Sequence, residues 1–307
     1  MNAPTVETIA RTAEMGMNAI VTNRERLDLA LLPHIKQCGL QLVLEVSCFF
    51  EDRIWDKFPG SRPVDRNGVA MEQIRWYTGA CPNHAGLRET RLQQIAALLE
   101  EFEFDGLWLD FLRYPCHWEQ VRNANITEYC FCSSCQEQFR QDGGSELSGM
   151  LWQEWKSRRI TAFAQDAHRI ISLSRQPDML LGMFSVPWRI SDFDGAMPRI
   201  IGQDVEGLAV FVDMFTPMTY HWLTGQPAAW IHEIARDAAQ VANKLVCPAI
   251  QTMNEPDALS ATEFEQALEF ALQPPSSGVM IFHVDDLLQQ PEKCDIVKKR
   301  FGEKVII

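Results

Sequence analysis

Short apolar runs of four to eight residues alternate with longer stretches in which apolar positions recur every three or four residues. The first pattern suits strands covered on both faces and the second suits helices with one apolar stripe, so their alternation predicts strand–helix units around a parallel sheet. Strands are predicted at 19–22, 41–46, 106–111, 179–186, 212–219, 245–252 and 278–284. Helices are predicted at 87–102, 151–172, 228–242 and 261–272, with Ser260 as a cap for the last, and a further helical stretch at 6–15 precedes the first strand. No low-complexity linker divides the chain, which predicts a single domain over 1–307 with a long cysteine-containing loop region at 112–150. Seven strands point to a (β/α)8 TIM-type barrel that lacks or rewires its first strand. A doubly wound open sheet is the alternative. It usually carries a glycine-rich phosphate turn after an early strand, and neither G-x-G-x-x-G nor a Walker pattern occurs, so no organic cofactor is expected.

Barrel strands point alternate side chains inward and pack the others against helices. In 106–111 this sends Leu107, Leu109 and Phe111 outward and leaves Trp108 and Asp110 inside, with Asp110 at the carboxyl end. In 41–47, Leu42, Leu44 and Val46 face out while Glu45 and Ser47 face in. In the last strand Met280, Phe282 and Val284 are expected outside and His283 and Asp285 inside. Gln251 is assigned inward by the same alternation, and Asp213, which begins its strand, is assigned to the opposite, stability face. Polar inward residues at strand carboxyl ends mark the catalytic face of such a barrel. Asp110 is the first candidate, with Arg113 three residues on to hold or tune its carboxylate. Glu45 reads first as a structural carboxylate held by neighbouring Arg, Ser or backbone groups, and His283 with Asp285 reads equally as a satisfied core pair.

A net charge of −13, spread over solitary acids, argues against nucleic acid or anionic membrane as partner, because phosphate binding needs clustered Lys and Arg. The first fifteen residues carry Glu7 and Glu14 and no long apolar run, so a soluble, cytoplasmic protein is expected. Nine cysteines make an odd number for a disulfide framework, and reduced thiols fit better. Cys38, Cys48, Cys247 and Cys294 stand in apolar surroundings and read as small buried hydrophobes. Cys130, Cys132 and Cys135 instead form a Cys-x-Cys-x-x-Cys cluster, and Cys81 is the natural fourth ligand, with Cys116 as competitor. Four thiolates in a tetrahedron predict a structural zinc, closed to water, that clamps the loop after one strand to the loop after the next.

The run Cys81-Pro82-Asn83, then Arg88, then Cys130 to Cys135 with Phe139 beyond, resembles the zinc-binding cysteine pattern of glycoside hydrolase family 42 β-galactosidases. The segment from Phe104 to Pro115, with Pro217 to Tyr220 later, is similar to uncharacterised glycoside-hydrolase-like barrels that carry an Asp-Gly-x-x-x-Asp-x-x-Arg-x-Pro strand. The resemblance implies a zinc-clamped barrel that handles glycosides. In family 42 the strand before the cysteines ends in an Asn-Glu pair whose Glu is the general acid/base, whereas Asp110-Phe111-Leu112 stands here. The family's catalytic Glu therefore has no counterpart at this position.

Glycoside hydrolysis needs two carboxyl groups, one to protonate the leaving oxygen and one to attack or activate water. With the first strand missing, Asp110 ends the fourth strand and Glu255 lies just beyond the seventh, so Asp110 and Glu255 are the predicted pair and Asp285 the reserve. Sugar faces stack on flat apolar rings, and Trp76, Tyr77, Tyr114, Trp118, Trp188, Tyr220 and Trp222 all fall in loops expected over the mouth. Arg113, Tyr114, Trp188, Tyr220, His221, His283 and Glu45 are the predicted substrate-binding set. The predicted function is a glycosidase with a carbohydrate substrate. The alternatives are a non-catalytic carbohydrate-binding barrel and a metal-dependent hydrolase with its ion at His283 and Asp285.

Overall fold

A computed structural model describes Met1 and residues 3–302 of the chain. Each of the seven predicted strand segments forms, and one of them divides. The strands are β1 (Ala19–Thr22), β2 (Gln41–Ser47), β3 (Gly106–Asp110), β4 (Leu180–Ser185), β5 (Met214–Pro217), β6 (Leu245–Val246), β7 (Ala249–Gln251) and β8 (Met280–Phe282). β1 to β6 make one parallel sheet in chain order, and β7 pairs in parallel with β8. A single bridge from Met218 to Ala249 carries the order from the end of β5 to β7.

This parallel α/β arrangement corrects the expectation of a closed eight-stranded barrel. Among the described residues β1 and β8 end the strand order with no ladder between them. The division within 245–252 has a local cause. Cys247 N–H still donates to the Phe215 carbonyl at 2.9 Å, but Pro248 has no N–H to continue the ladder, and its carbonyl turns to accept from Met280 N–H at 3.0 Å. The helix layer does continue around that side. Arg11 on the helix Val6–Glu14 donates through Nη2 to the Leu288 carbonyl at 3.0 Å.

Helices form where their periodicity predicts them, at Ala85–Glu101, Gly149–Ser172, Ala229–Ala242 and Ala261–Ala271. Ser260 accepts from Glu263 N–H and so caps the last of these. The region 112–150 is less loop-like than expected, because its cysteine cluster opens a helix, Ser133–Gln141. The helix Pro291–Phe301 begins with proline at its first turn and packs beside Ala261–Ala271.

Inside the sheet, Trp108 on β3 reaches across β4, where its Nε1–H donates to Thr216 Oγ1 on β5 at 3.0 Å. Its partner in register is Gly182, and a Cβ there would sit 2.2 Å from the indole. The glycine makes room for the ring as it crosses the face of the sheet.

Candidate active site

β3 ends on Asp110, which is part-buried and level in register with Ser47 on β2. The chain then turns sharply. Phe111 takes a left-handed φ of 48°, and its N–H donates back to Asp110 Oδ1, 2.6 Å away. Phe111 is therefore not an outward strand residue, as alternation predicted; its ring lies 4.4 Å from Phe50 in a stacked contact.

Glu45 points inward from β2, opposite Trp108 and one inward position below Asp110. Neighbouring parallel strands and two residues of rise put the two Cα atoms roughly 8 Å apart. Burial pushes the Glu45 carboxyl up to about 8, and the Asp110 charge adds to the rise. Asp110 is also pushed up by burial, to about 6, against the pull of the Arg113 guanidinium and the Phe111 N–H. Two carboxyls thus share one low-dielectric end of the strands with separated proton affinities.

Aromatic rings wall this end. Phe50, Tyr77 and Phe111 stack on one another, and Trp76 stands edge-on to Phe50 at 5.4 Å. Trp76 sits at the tip of a tight turn closed by Ile74 and Tyr77, with Arg75 in the left-handed region. Arg113 lies over the Phe111 ring at 4.7 Å and is only 3 % exposed. Tyr220, also buried, stacks on Phe282 at 5.2 Å and approaches Trp118 at 6.0 Å. Asp110 and Glu119 both reach Tyr220 electrostatically, which ties it to this end.

The other predicted residues lie elsewhere. Tyr114 is fully buried and faces the thiol cluster, accepting from Asn83 Nδ2 at 2.9 Å, so it offers no ring face to a sugar. Trp188 is buried on the outer side of β4, around a small cavity shared with Phe215, Ile234 and Ala238. His221 is fully buried with Nε2 3.1 Å from Glu263 Oε1, so it faces the helix Ala261–Ala271, and burial lowers its pKa. From sequence, Trp188 is expected in a loop over the mouth and His221 in the substrate-binding set.

β8 stops at Phe282, one residue before the inward pair predicted for it. Its phase is also reversed: Ile281 packs with the cluster around Phe264 and Leu268, while Met280 meets the principal core and Phe282 reaches Tyr220. His283 becomes the residue preceding a short helix, Val284–Leu287, which carries Asp285; its Nδ1 is 3.2 Å from Asp286 and 3.8 Å from Asp285. Glu255 lies on an exposed loop, where its carbonyl accepts from Gln251 Nε2 at 3.0 Å. Gln251 is inward and buried, and Asp213 accepts from Leu181 N–H at 3.0 Å at the amino end of the strands.

Cys81, Cys130, Cys132 and Cys135 converge, with all four sulfurs within 4.8 Å of one another. Among the described residues this is the one group of three or more His, Cys, Asp or Glu side chains close enough to share an ion. Sulfur separations of 3.3 Å from Cys81 to Cys135 and 3.9 Å to Cys132 suit a tetrahedral ion with bonds near ~2.3 Å. Cys116 stays outside the group. Asn83 Nδ2 donates to Cys135 Sγ at 3.2 Å as well as to Tyr114, and Arg159 Nε donates to Asn83 Oδ1 at 2.9 Å. Such outer hydrogen bonds orient metal ligands. The set joins the loop after β2 to the loop after β3.

His117, Glu119, Phe50 and Thr216 belong to this end and were not singled out in the sequence. His117 and Glu119 had a readable signal, since they directly follow the motif that ends in Pro115. Phe50 and Thr216 gave none, because an apolar residue after a strand and a threonine within one are ordinary.

No protein-family model matches the chain, and no curated protein matches it. Solved structures do. The glycoside hydrolase domain of PgaB (BpsB) from Bordetella bronchiseptica superposes with a TM-score of 0.74 at 12 % identity, covering 97 % of this chain and 93 % of that one. A β-galactosidase from the psychrophilic Marinomonas ef1 gives 0.65 at 10 % identity, over 90 % of this chain and 51 % of its own. The glycoside hydrolase domain of PelA from Pseudomonas aeruginosa gives 0.55 at 14 % identity and 93 % of each chain. At these identities the likeness is one of fold: the chain has a glycoside-hydrolase-like, TIM-type α/β architecture.

Proposed function

We propose that the protein is a glycoside hydrolase that acts through Asp110 and Glu45, in place of the Asp110 and Glu255 pair that the sequence suggested. The observation that carries this reading is the placement of two inward carboxyls on adjacent strands at the end where such barrels do their chemistry. Near neutral pH Asp110 is ionised and Glu45 protonated. That division of labour is what the reaction needs: Glu45 gives its proton to the leaving oxygen, and Asp110 attacks the anomeric carbon or takes a proton from water. Phe111 N–H and Arg113 hold the Asp110 charge. The fold shared with glycoside hydrolase domains supports the reaction class.

The thiol group reads as a structural zinc site. Four thiolates would fill the ion's coordination sphere, so zinc would brace the two loops and take no part in bond cleavage.

The test is a panel of aryl glycosides and oligosaccharides against wild type, Asp110→Asn, Glu45→Gln, Glu255→Gln and Asp285→Asn. Asp110→Asn and Glu45→Gln are expected to lose about a hundredfold or more of kcat/KM with their folds intact. A fully active Asp110→Asn protein overturns the assignment, and an equal loss in Glu255→Gln with none in Glu45→Gln returns the second role to Glu255. The departure from Asn-Glu at 110–111 favours one second reading, a carbohydrate-binding barrel. Oligosaccharide binding by wild type without turnover on any substrate assigns that role instead.

A further inference from the structure

Buried polar atoms without partners are rare in folded proteins, and those that persist call for an explanation. Among the described residues eleven buried side-chain nitrogen or oxygen atoms have no hydrogen-bond partner, and five of them belong to Arg113, His117 and Trp118. The five are Nε and Nη1 of Arg113, both ring nitrogens of His117 and Nε1 of Trp118. His117 Nδ1 lies 3.3 Å from a Glu119 oxygen without hydrogen-bonding geometry. All five sit on one short segment after β3, beside the aromatic wall.

Trp76 borders the same segment. It is 52 % exposed, although its ring is braced by Phe50 at 5.4 Å, Tyr77 at 5.7 Å, His117 at 5.9 Å and Phe111 at 6.2 Å. Each of these contacts is edge-on or tilted. A large apolar ring fixed in place and left half in water at a tight turn gains nothing for the fold by that exposure. Stacking against the apolar face of a pyranose, with donors nearby for its hydroxyls, would use both features.

We infer that Trp76 and the segment Arg113 to Trp118 form a subsite for a neutral sugar ring next to Asp110, and hence that the substrate is an oligosaccharide of at least two rings. The inference rests on the glycosidase reading and deepens it. Asp110 stands electrostatically between Arg113 and Glu119, and the chain carries −13 overall, which disfavours an acidic sugar. Trp76 then sets the plane of the ring, and the segment behind it holds the nearest donors without partners, on Arg113 and His117.

The experiment measures binding by calorimetry on full-length Asp110→Asn protein. The probes are neutral hexasaccharides built from glucose, galactose, mannose or N-acetylglucosamine, a uronic-acid oligomer, and the matching p-nitrophenyl monosaccharides. Wild-type KM is measured in parallel. Trp76→Ala is expected to weaken the preferred hexasaccharide about tenfold, or about 1.4 kcal/mol, and to raise its KM relative to the aryl monosaccharide by the same factor. Trp76→Phe should recover most of that loss, which a merely folded-state role would not predict. Leu173→Ala, an exposed apolar change on a different surface, should alter nothing. Binding within twofold of the parent in Trp76→Ala, preference for the uronic-acid oligomer, or no binding of any probe overturns the subsite. Binding that follows Trp76 in a wild type that turns nothing over sinks the glycosidase reading and leaves the subsite standing.

Discussion

On the proposed mechanism Asp110 and Glu45 set the pH behaviour of the site, because burial moves both carboxyls toward neutrality by different amounts. Activity through an ionised Asp110 and a protonated Glu45 should give a bell-shaped kcat/KM profile with limbs near about 6 and about 8, belonging to the pair as a whole. Flat activity from pH 5 to 9 would remove the pair from the mechanism. Stability should move the other way from an ordinary carboxylate. The folded protein holds the Glu45 proton up to about 8, against an ordinary value of 4.5, so the unfolded chain binds fewer protons in between and stability falls as pH rises through that window. Glu45→Gln abolishes this loss, and its melting temperature should exceed wild type by more at pH 9 than at pH 5. An equal difference at both values would show that Glu45 ionises freely in the folded state. Gly182 makes a second claim at this scale. Gly182→Ala forces a Cβ to 2.2 Å from the Trp108 ring, and the urea midpoint should drop by the equivalent of about 1–3 kcal/mol. Alternation along β2 and β3 made Glu45, Trp108 and Asp110 legible as inward residues. It failed at Phe111, because a left-handed residue ends the two-residue period, and no propensity marks phenylalanine for that conformation.

The elements around the site depend on how loops are tied as much as on strands. Strand and helix segments were legible because each carries its own period, and their observed bounds lie within a few residues of those predicted. Side-chain destinations after the strands were not. Trp188, His221 and Tyr114 follow strand ends in the chain, yet packing turns them toward helices or the thiol group, and nothing within a loop encodes that direction. The cysteines were legible through spacing alone, since three thiols on one tight turn leave a fourth to come from a distance. With the ion bound, this group should hold the loops after β2 and β3 together, and with them Tyr77, Trp76 and Arg113. Purified protein should therefore contain about one zinc per chain, retained by His283→Ala and lost by Cys132→Ala. Chelation or Cys132→Ala should lower the melting temperature and increase proteolysis within 112–150, because metal binding to such a set is folding free energy. Zinc-free protein with unchanged melting behaviour would make the cluster a set of ordinary buried thiols.

For the molecule as a whole, the unequal ends of the strand order matter most. β2, β3 and β4 are five to seven residues long, paired on both sides, and lie in the principal core. β7 and β8 have three residues each, pair with one another, and lean on a smaller cluster around Phe264, Leu268 and Val297. Amide protection follows the free energy of the least costly opening that exposes each group. Removing β8 with its flanking helices breaks one three-residue ladder, whereas exposing β3 breaks ladders to two longer neighbours. Hydrogen exchange read by mass spectrometry should therefore show the slowest amides in 106–110 and 180–185, and faster exchange in 249–251 and 280–282 under the same conditions. Equal protection across all four segments would mean that β8 is sealed to β1 in solution and that the whole ring opens as one cooperative unit. Unequal protection locates the give in the molecule at the Phe282 and Tyr220 side of the mouth, across the site from the braced wall of Phe50, Tyr77 and Phe111. Substrate entry would then be governed from that side. Oligosaccharide bound between the two walls should slow exchange in 280–282 by more than in 106–110, because only the former has opening free energy left to lose.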